Sequence, residues 1–162
     1  MKLAYCKLDG RDQHLAGREL LRKLYLEETG REPPPVRISE AGYPHFETGP
    51  FYFSITHTDR HAFCVLSRNR IGIDAEELDR RLHHSLPFRV LSPFELEQYH
   101  RSQDKVRAFL TFWVLKEALF KCRGTGLVGF PNRTRFRLDD PRVSEVEGCL
   151  LAIIEEGDDY AV

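Results

Sequence analysis

A chain of 162 residues with 24 lysines and arginines against 25 aspartates and glutamates is long enough to bury one core, and it lacks the net basic field that nucleic acid selects. Its start, MKLAYCKLDG, turns polar after a few residues, and no apolar run nears the ~20 residues of a membrane span. A cytoplasmic protein with neither nucleic acid nor membrane as partner is expected. The four cysteines, Cys6, Cys64, Cys122 and Cys149, lie far apart without a CxxC pair, which predicts reduced structural thiols rather than a zinc motif or a disulfide framework.

Lys2 to Leu8 predicts a strand. Leu15, Leu20, Leu21, Leu24 and Leu26 then fall near helical spacing, with Arg11 and Asp12 at the start of the helix and Gly30 and Pro33-Pro34-Pro35 beyond its end. Val36 to Ser39 predicts a strand running into a turn at Gly42-Tyr43-Pro44. The apolar runs Phe51 to Ile55, Ala62 to Leu66 and Ile71 to Ala75 predict one small antiparallel sheet. Arg80 to Pro87 is expected as a loop. Ser92-Pro93-Phe94-Glu95 then opens a helix with an N-cap serine, a proline at the first helical position and a glutamate three residues after the cap. Val106, Phe109, Leu110, Trp113, Ala118 and Phe120 predict a helix from Lys105 to Arg123, stopped by Gly124. Arg135 to Leu138, Cys149 to Ile154 and Tyr160 to Val162 are the expected closing strands. No linker divides the chain, so the expected fold class is α+β, with small antiparallel sheets packed against helices in a single domain over 1–162.

Three groups of residues carry chemistry. In Gly72-Ile73-Asp74-Ala75-Glu76 the strand period of two puts both carboxylates on one face. Like charges so close repel unless a cation lies between them, and the cation that suits carboxylates is a hard one. An exposed acidic strand end is the ordinary alternative. On the later helix, Glu117 and Lys121 are four residues apart and share a face, as an ordinary surface ion pair would. Trp113, four before Glu117, is expected to be buried and to support the helix, while Lys116 turns away from Glu117 by about 100°. Thr56 and His57 leave a strand end together as a hydroxyl and an imidazole.

In order and spacing, F-S-I-T-H-T, then G-I-D-A-E-E, then F-x-x-W-x-x-K-E-A-x-x-K-x-x-G-x-G resembles the phosphopantetheinyl transferase superfamily. Its surfactin-synthetase-activating members show approximately F-N-x-S-H, G-I-D-I-E and W-x-x-K-E-x-x-x-K. The resemblance extends from the first strand through Leu15-Ala16-Gly17 and the Gly42-x-Pro44 turn to Gly124-x-Gly126-Leu127. It implies the transferase fold, with 1–50 as a shortened N-terminal half and 51–162 as the core with the metal site. It also implies a holo-[acyl-carrier-protein] synthase-type activity that moves phosphopantetheine from coenzyme A to a serine of an acyl or peptidyl carrier protein. Asp74, Glu76 and Glu117 match the ligands of Mg²⁺, with Mn²⁺ as the alternative ion. Thr56 and His57 occupy the positions that hold coenzyme A phosphates, and Lys121 matches the lysine on the pyrophosphate. Glu117, Lys121 and His57 are then the catalytic groups, Glu117 taking the serine proton with His57 as the rival base.

The chain departs from the family at Tyr43, where a lysine is usual, at His14, where a small hydroxyl residue often stands, and at Gln13, where arginine is common. Tyr43 and His14 are still placed on the coenzyme side, and Arg11 and Arg18 are candidates for its 3′-phosphate. A monomer is expected, with a dimer as the alternative. The competing functional readings are a non-catalytic homologue that binds coenzyme A or a carrier protein, and a metal-dependent hydrolase of a pyrophosphate.

Overall fold

The computed structural model describes residues 1–40, 42–124 and 131–158. Strand β1 (Lys2–Lys7) leads into helix α1 (Gln13–Thr29), then the short strands β2 (Val36–Ile38) and β3 (Pro44–Phe46), and then β4 (Tyr52–His57), β5 (His61–Ser67) and β6 (Ile71–Glu77). Helices α2 (Leu86–Val90), α3 (Pro93–Arg101) and α4 (Lys105–Arg123) follow, with strands β7 (Val143–Val146) and β8 (Cys149–Glu155) at the end. The α+β class with small antiparallel sheets on helices is observed.

The chain makes the same unit twice. In the first half, three strands form a sheet in the order β1-β5-β4 with α1 packed on it; in the second, three form one in the order β6-β8-β7 with α4 packed on it. Each is a strand, a helix and a hairpin whose last strand slots beside the first. Strands from both sides of residue 50 share the first sheet, and β2 and β3 form a separate two-stranded hairpin.

The expected single sheet of β4, β5 and β6 is therefore corrected: β6 joins β8, with Ile73 opposite Ile153 and Glu76 opposite Leu150. Side chains bridge β4 and β6 instead of a ladder. Ser54 Oγ accepts from the Ile73 amide at 3.2 Å, and Thr56 Oγ1 donates to Asp74 Oδ1 at 3.0 Å.

Local signals explain most ends. Asp12 Oδ1 caps α1 by accepting from the Leu15 amide at 2.8 Å, and Gly124 closes α4 at φ 67°, the left-handed region that favours glycine. Ser92 and Glu95 form the expected capping box on α3. Leu15, which falls on the apolar spacing of α1, is 57% exposed. The expected loop up to Pro87 already contains the start of α2.

Arg135 to Leu138 is not a strand, because its amides are taken by side chains: Phe136 N–H by Glu95 Oε1 at 3.1 Å and Leu138 N–H by Gln98 Oε1 at 3.1 Å. Strand β7, not anticipated, pairs with β8 through a two-residue turn of Glu147 (φ 52°) and Gly148 (φ 77°), the twist that matches a hairpin. Residues Tyr160 to Val162, and Gly126 and Leu127, lie outside the described residues.

Packing sets the depth of the second unit. A Cβ on Gly72 would lie 1.9 Å from the Ala118 carbonyl oxygen and 2.5 Å from the Cys122 amide nitrogen, so glycine lets the backbone of α4 rest directly on β6. That contact brings the face of α4 bearing Glu117 and Lys121 down to the strand bearing Asp74.

Candidate active site

Asp74 is the centre of the arrangement. It is 7% exposed, and its Oδ1 accepts from Thr56 Oγ1 on β4 and from Lys121 Nζ on α4, the latter at 2.7 Å. Lys121 also donates to the Ile73 carbonyl at 3.1 Å. Its ammonium is thus fixed on β6, and its carboxylate partner is Asp74, not the Glu117 of an ordinary helix-surface pair. Asp74 Oδ2 is buried and has no hydrogen-bond partner, a costly state for a carboxylate oxygen unless a cation or donor meets it.

Glu76 is ion-paired with Arg80 and hydrogen-bonded to the indole of Trp113; burial, the larger influence, pushes its carboxyl up. Trp113 is half-buried rather than buried and stacks on Phe109 with ring centroids 5.9 Å apart. It supports the helix as expected but keeps its N–H on the site.

Glu117 has no hydrogen bond or ion pair among the described residues. Its carboxyl is pushed up to about 7, first by burial and then by the charge of Asp74, with Glu76 adding to the rise and Lys121 opposing it. The three acids therefore lie within one another's fields, and each is moderated differently: Asp74 by Lys121, Glu76 by Arg80, and Glu117 by holding a proton near neutral pH. A hard dication would answer all three and reach the orphaned Asp74 oxygen, so the donor set fits Mg²⁺. Binding would draw the acids together. Among the described residues, the group of three metal-type donors whose atoms all lie within 4.8 Å of one another is a different one, His61, Glu77 and Cys149.

His57 faces the edge of His14, ring centroids 5.3 Å apart. Its pKa is lowered, first by burial, then by His14 and Lys121, while Asp74 opposes. The protein by itself favours a neutral imidazole here. His57 lines a cavity of about 810 Å³ with Glu76, Gln13, Arg60, Arg80 and Arg81. On the other side, Tyr43 lines a cavity of about 420 Å³ with Lys121, Phe53, Arg70 and Arg123. Glu76 lines the first and Lys121 the second.

Some candidates fall away from this centre. Arg11 donates to the Leu8 carbonyl at 3.2 Å and to that of Lys7, so its guanidinium fastens the β1–α1 turn, and Arg18 is exposed. Besides Lys121, the cavities are lined by Arg60, Arg80, Arg81, Arg70 and Arg123, arginines that no local pattern singles out. Lys116 does turn away from Glu117, and its destination is new: it is fully buried and paired with the fully buried Glu95 at 2.6 Å. A glutamate read as a helix cap thus also holds a lysine and, through Thr134 Oγ1 at 2.8 Å, the segment after α4.

Residues 70–159 match the family model of the 4′-phosphopantetheinyl transferase superfamily. The chain belongs to that superfamily. A Haemophilus influenzae protein named provisionally as a 4′-phosphopantetheinyl transferase is 29% identical over 106 residues, covering 62% of this chain and 45% of that protein. The 4′-phosphopantetheinyl transferase HetI of Nostoc sp. is 32% identical over 127 residues, 72% of this chain and 54% of HetI. The chain thus spans about half the length of the curated relatives it matches. Within the superfamily match fall Asp74, Glu76, Glu117 and Lys121, whereas Tyr43, Thr56, His57 and His14 precede it. No helix among the described residues is long and apolar enough to cross a membrane.

Proposed function

We propose that the chain is a Mg²⁺-dependent phosphopantetheinyl transferase that moves the phosphopantetheine arm of coenzyme A onto a serine of an acyl or peptidyl carrier protein. The observation that carries the reading is Asp74, buried at the meeting of β4, β6 and α4 with one carboxylate oxygen lacking a partner, beside two further acids. Asp74, Glu76 and Glu117 would hold Mg²⁺, or Mn²⁺ in its place. Bound there, the ion would neutralise the pyrophosphate and the charge growing on its leaving half.

This chain's own groups do the rest. His57 holds phosphate oxygens at the end of β4, and Thr56, whose hydroxyl proton goes to Asp74, would serve the phosphates only by giving up that bond. An imidazole held neutral by burial takes up a proton when it meets phosphate, since the anion favours the charged form. Lys121, already beside Asp74, supplies a second positive charge to the pyrophosphate. Glu117 takes the proton of the carrier serine, whose oxygen bonds to the phosphorus that carries the pantetheine arm. The bond from that phosphorus to the bridging oxygen breaks, and 3′,5′-ADP leaves with the electron pair, its charge met by Lys121 and His57.

The cavity beside Tyr43 suits the nucleotide, with Arg70 and Arg123 as cations for the 3′-phosphate, and His14 backs His57. Because both β-α-β-β units contribute, we read 1–162 as one working domain, acting as a monomer with a dimer as the alternative, in the cytoplasm. Tyr43 in place of a lysine favours the second reading, a homologue that binds coenzyme A or a carrier without transfer.

The deciding experiment is mass spectrometry of apo carrier proteins incubated with the chain, coenzyme A and Mg²⁺. Mass gain on a carrier serine supports transfer. Coenzyme A cleavage without a modified carrier indicates hydrolysis, and binding with neither product indicates the non-catalytic reading. For the base, a Mg²⁺ titration of Glu117→Gln should leave a defect of about 10²-fold or more at saturating metal. Full recovery would exclude Glu117 as the proton acceptor and move the role to His57.

A further inference from the structure

Strand β6 has two faces. Asp74 and Glu76 occupy one, and strand alternation sends Glu77 to the other. There Glu77 meets His61, the first residue of β5, and Cys149, the first residue of β8; one donor atom from each lies within 4.8 Å of the other two. His61 Nδ1 and Cys149 Sγ are 3.7 Å apart. We propose that His61, Glu77 and Cys149 form a second metal site, for an ion that accepts thiolate and imidazole, zinc above all, and that the bound ion ties the β4–β5 hairpin to the second sheet.

The donor chemistry separates this site from the carboxylates across the strand. A thiolate and an imidazole suit Zn²⁺, whereas Mg²⁺ wants oxygen. Three protein ligands with a fourth position left for water is a usual zinc arrangement. Tetrahedral bonds of about 2.0–2.3 Å place ligand atoms roughly 3.5 Å apart, so the sulfur–imidazole separation of 3.7 Å already fits, and no other pair exceeds 4.8 Å.

The surroundings point the same way. His61 is 6% exposed, and its Nε2 has no hydrogen-bond partner, so the sulfur contact is the imidazole's remaining polar interaction. Nδ1 is the ring nitrogen turned to Cys149, and a metal bond there would replace a weak sulfur contact at a buried polar atom. Glu77 is held in place from outside, as ligating carboxylates are: the Arg60 amide donates to Oε1 at 3.1 Å, and the Arg60 guanidinium pairs with Oε2. That guanidinium is shared with Asp79 at 2.8 Å, so the cluster without the thiol is net negative and does not repel a dication. Thr58 Oγ1 fixes the hairpin by accepting from the amides of Arg60 at 3.2 Å and His61 at 3.0 Å. His61 also lines an open cavity of about 620 Å³ in which Asp9, Asp59, Asp79 and Glu147 outnumber Lys7 and Arg60, a net acidic approach for a cation.

The ligands come from β5, β6 and β8, strands of two sheets that no ladder joins among the described residues. The ion would fasten the hairpin that ends in His57 to the strand that carries Asp74.

The full chain, stripped with chelator, should bind one equivalent of Co²⁺ with a thiolate-to-cobalt charge-transfer band that Zn²⁺ abolishes. Cys149→Ser should remove the band and weaken Co²⁺ binding at least about 100-fold, while Cys122→Ser and Asp74→Asn keep the band. His61→Ala should weaken binding to a similar extent, which covers the case of a serine variant that does not fold. Absence of a charge-transfer band in the wild type, its survival in Cys149→Ser, unweakened Co²⁺ binding in His61→Ala, or displacement of the band by excess Mg²⁺ overturns the proposal.

Discussion

Replacing Glu117 with glutamine should remove a pH-dependent weakness of the folded chain. Glu117 is raised from an ordinary 4.5 to about 7, chiefly by burial and by Asp74. Between those values the unfolded chain gives up the proton and the folded chain keeps it, so folding stability falls as the pH rises from 4.5 to 7 and stays lowered above. At about 1.4 kcal/mol per pH unit the full fall is about 3 kcal/mol, and solvent screening on the open side of the residue reduces it to about 2 kcal/mol. Guanidinium unfolding in EDTA, with wild type and Glu117→Gln measured from pH 4.5 to 8.5, tests this. The variant should gain on the wild type through that window by about 2 kcal/mol and end the more stable of the two. Added Mg²⁺ should close the gap, because a cation among the acids restores the charged carboxylate. Parallel pH profiles of the two proteins would refute the view that Glu117 is held strained by burial and by its neighbours.

Gly72→Ala should cost on the order of 3 kcal/mol or more, since the added carbon meets the Ala118 and Cys122 backbone rather than a movable side chain; a thermal melt with an unchanged midpoint would show that α4 can lift freely. Lys116→Met should lose about 3–5 kcal/mol by leaving Glu95 charged and buried without its partner, and a denaturation midpoint near wild type would contradict the pairing. Lys121→Ala should weaken coenzyme A binding or transfer, and unaltered kinetics at limiting coenzyme A would remove Lys121 from the mechanism.

How far the sequence carries depends on whether a signal is local. Glycines 30 and 124, Asp12 and the Ser92–Glu95 box act on their own neighbours and mark helix ends correctly. The alternation of Gly72 to Glu76 likewise points Asp74 and Glu76 to one side before any partner is known. What no local pattern holds is the choice of neighbour across space. Ile71 to Ala75 is a good strand by composition, but only the ladder with β8 shows which sheet it joins. Arg135 to Leu138 has a strand's composition and loses its amides to Glu95 and Gln98 from far along the chain. Lys116 could be turned away from Glu117 by helix geometry, yet its partner sits in another helix. The Glu147-Gly148 turn does carry a local mark, a glycine-ended pair between Val143–Val146 and the apolar run that begins at Cys149. Cys149 and His61 share no motif because the backbone, not the sequence spacing, makes them neighbours.

The two β-α-β-β units meet along β4 and β6, stitched by Ser54 and Thr56 instead of a main-chain ladder. That join is side chain on side chain: buried Phe63 and Val65 pack on Ile73 and Leu151, and Ser67–Glu155 and Arg60–Glu77 contacts add to the bonds of Ser54 and Thr56. Asp74, Glu117 and Lys121 ride together on one plate, and His57 and His14 ride on the other. A ligand gripped by both plates then works as a strut, and its affinity includes the work of setting the gap. Mutations along the join, with no contact to any ligand, should therefore change how tightly a long two-ended molecule is held while leaving a short one-ended fragment of it unaffected.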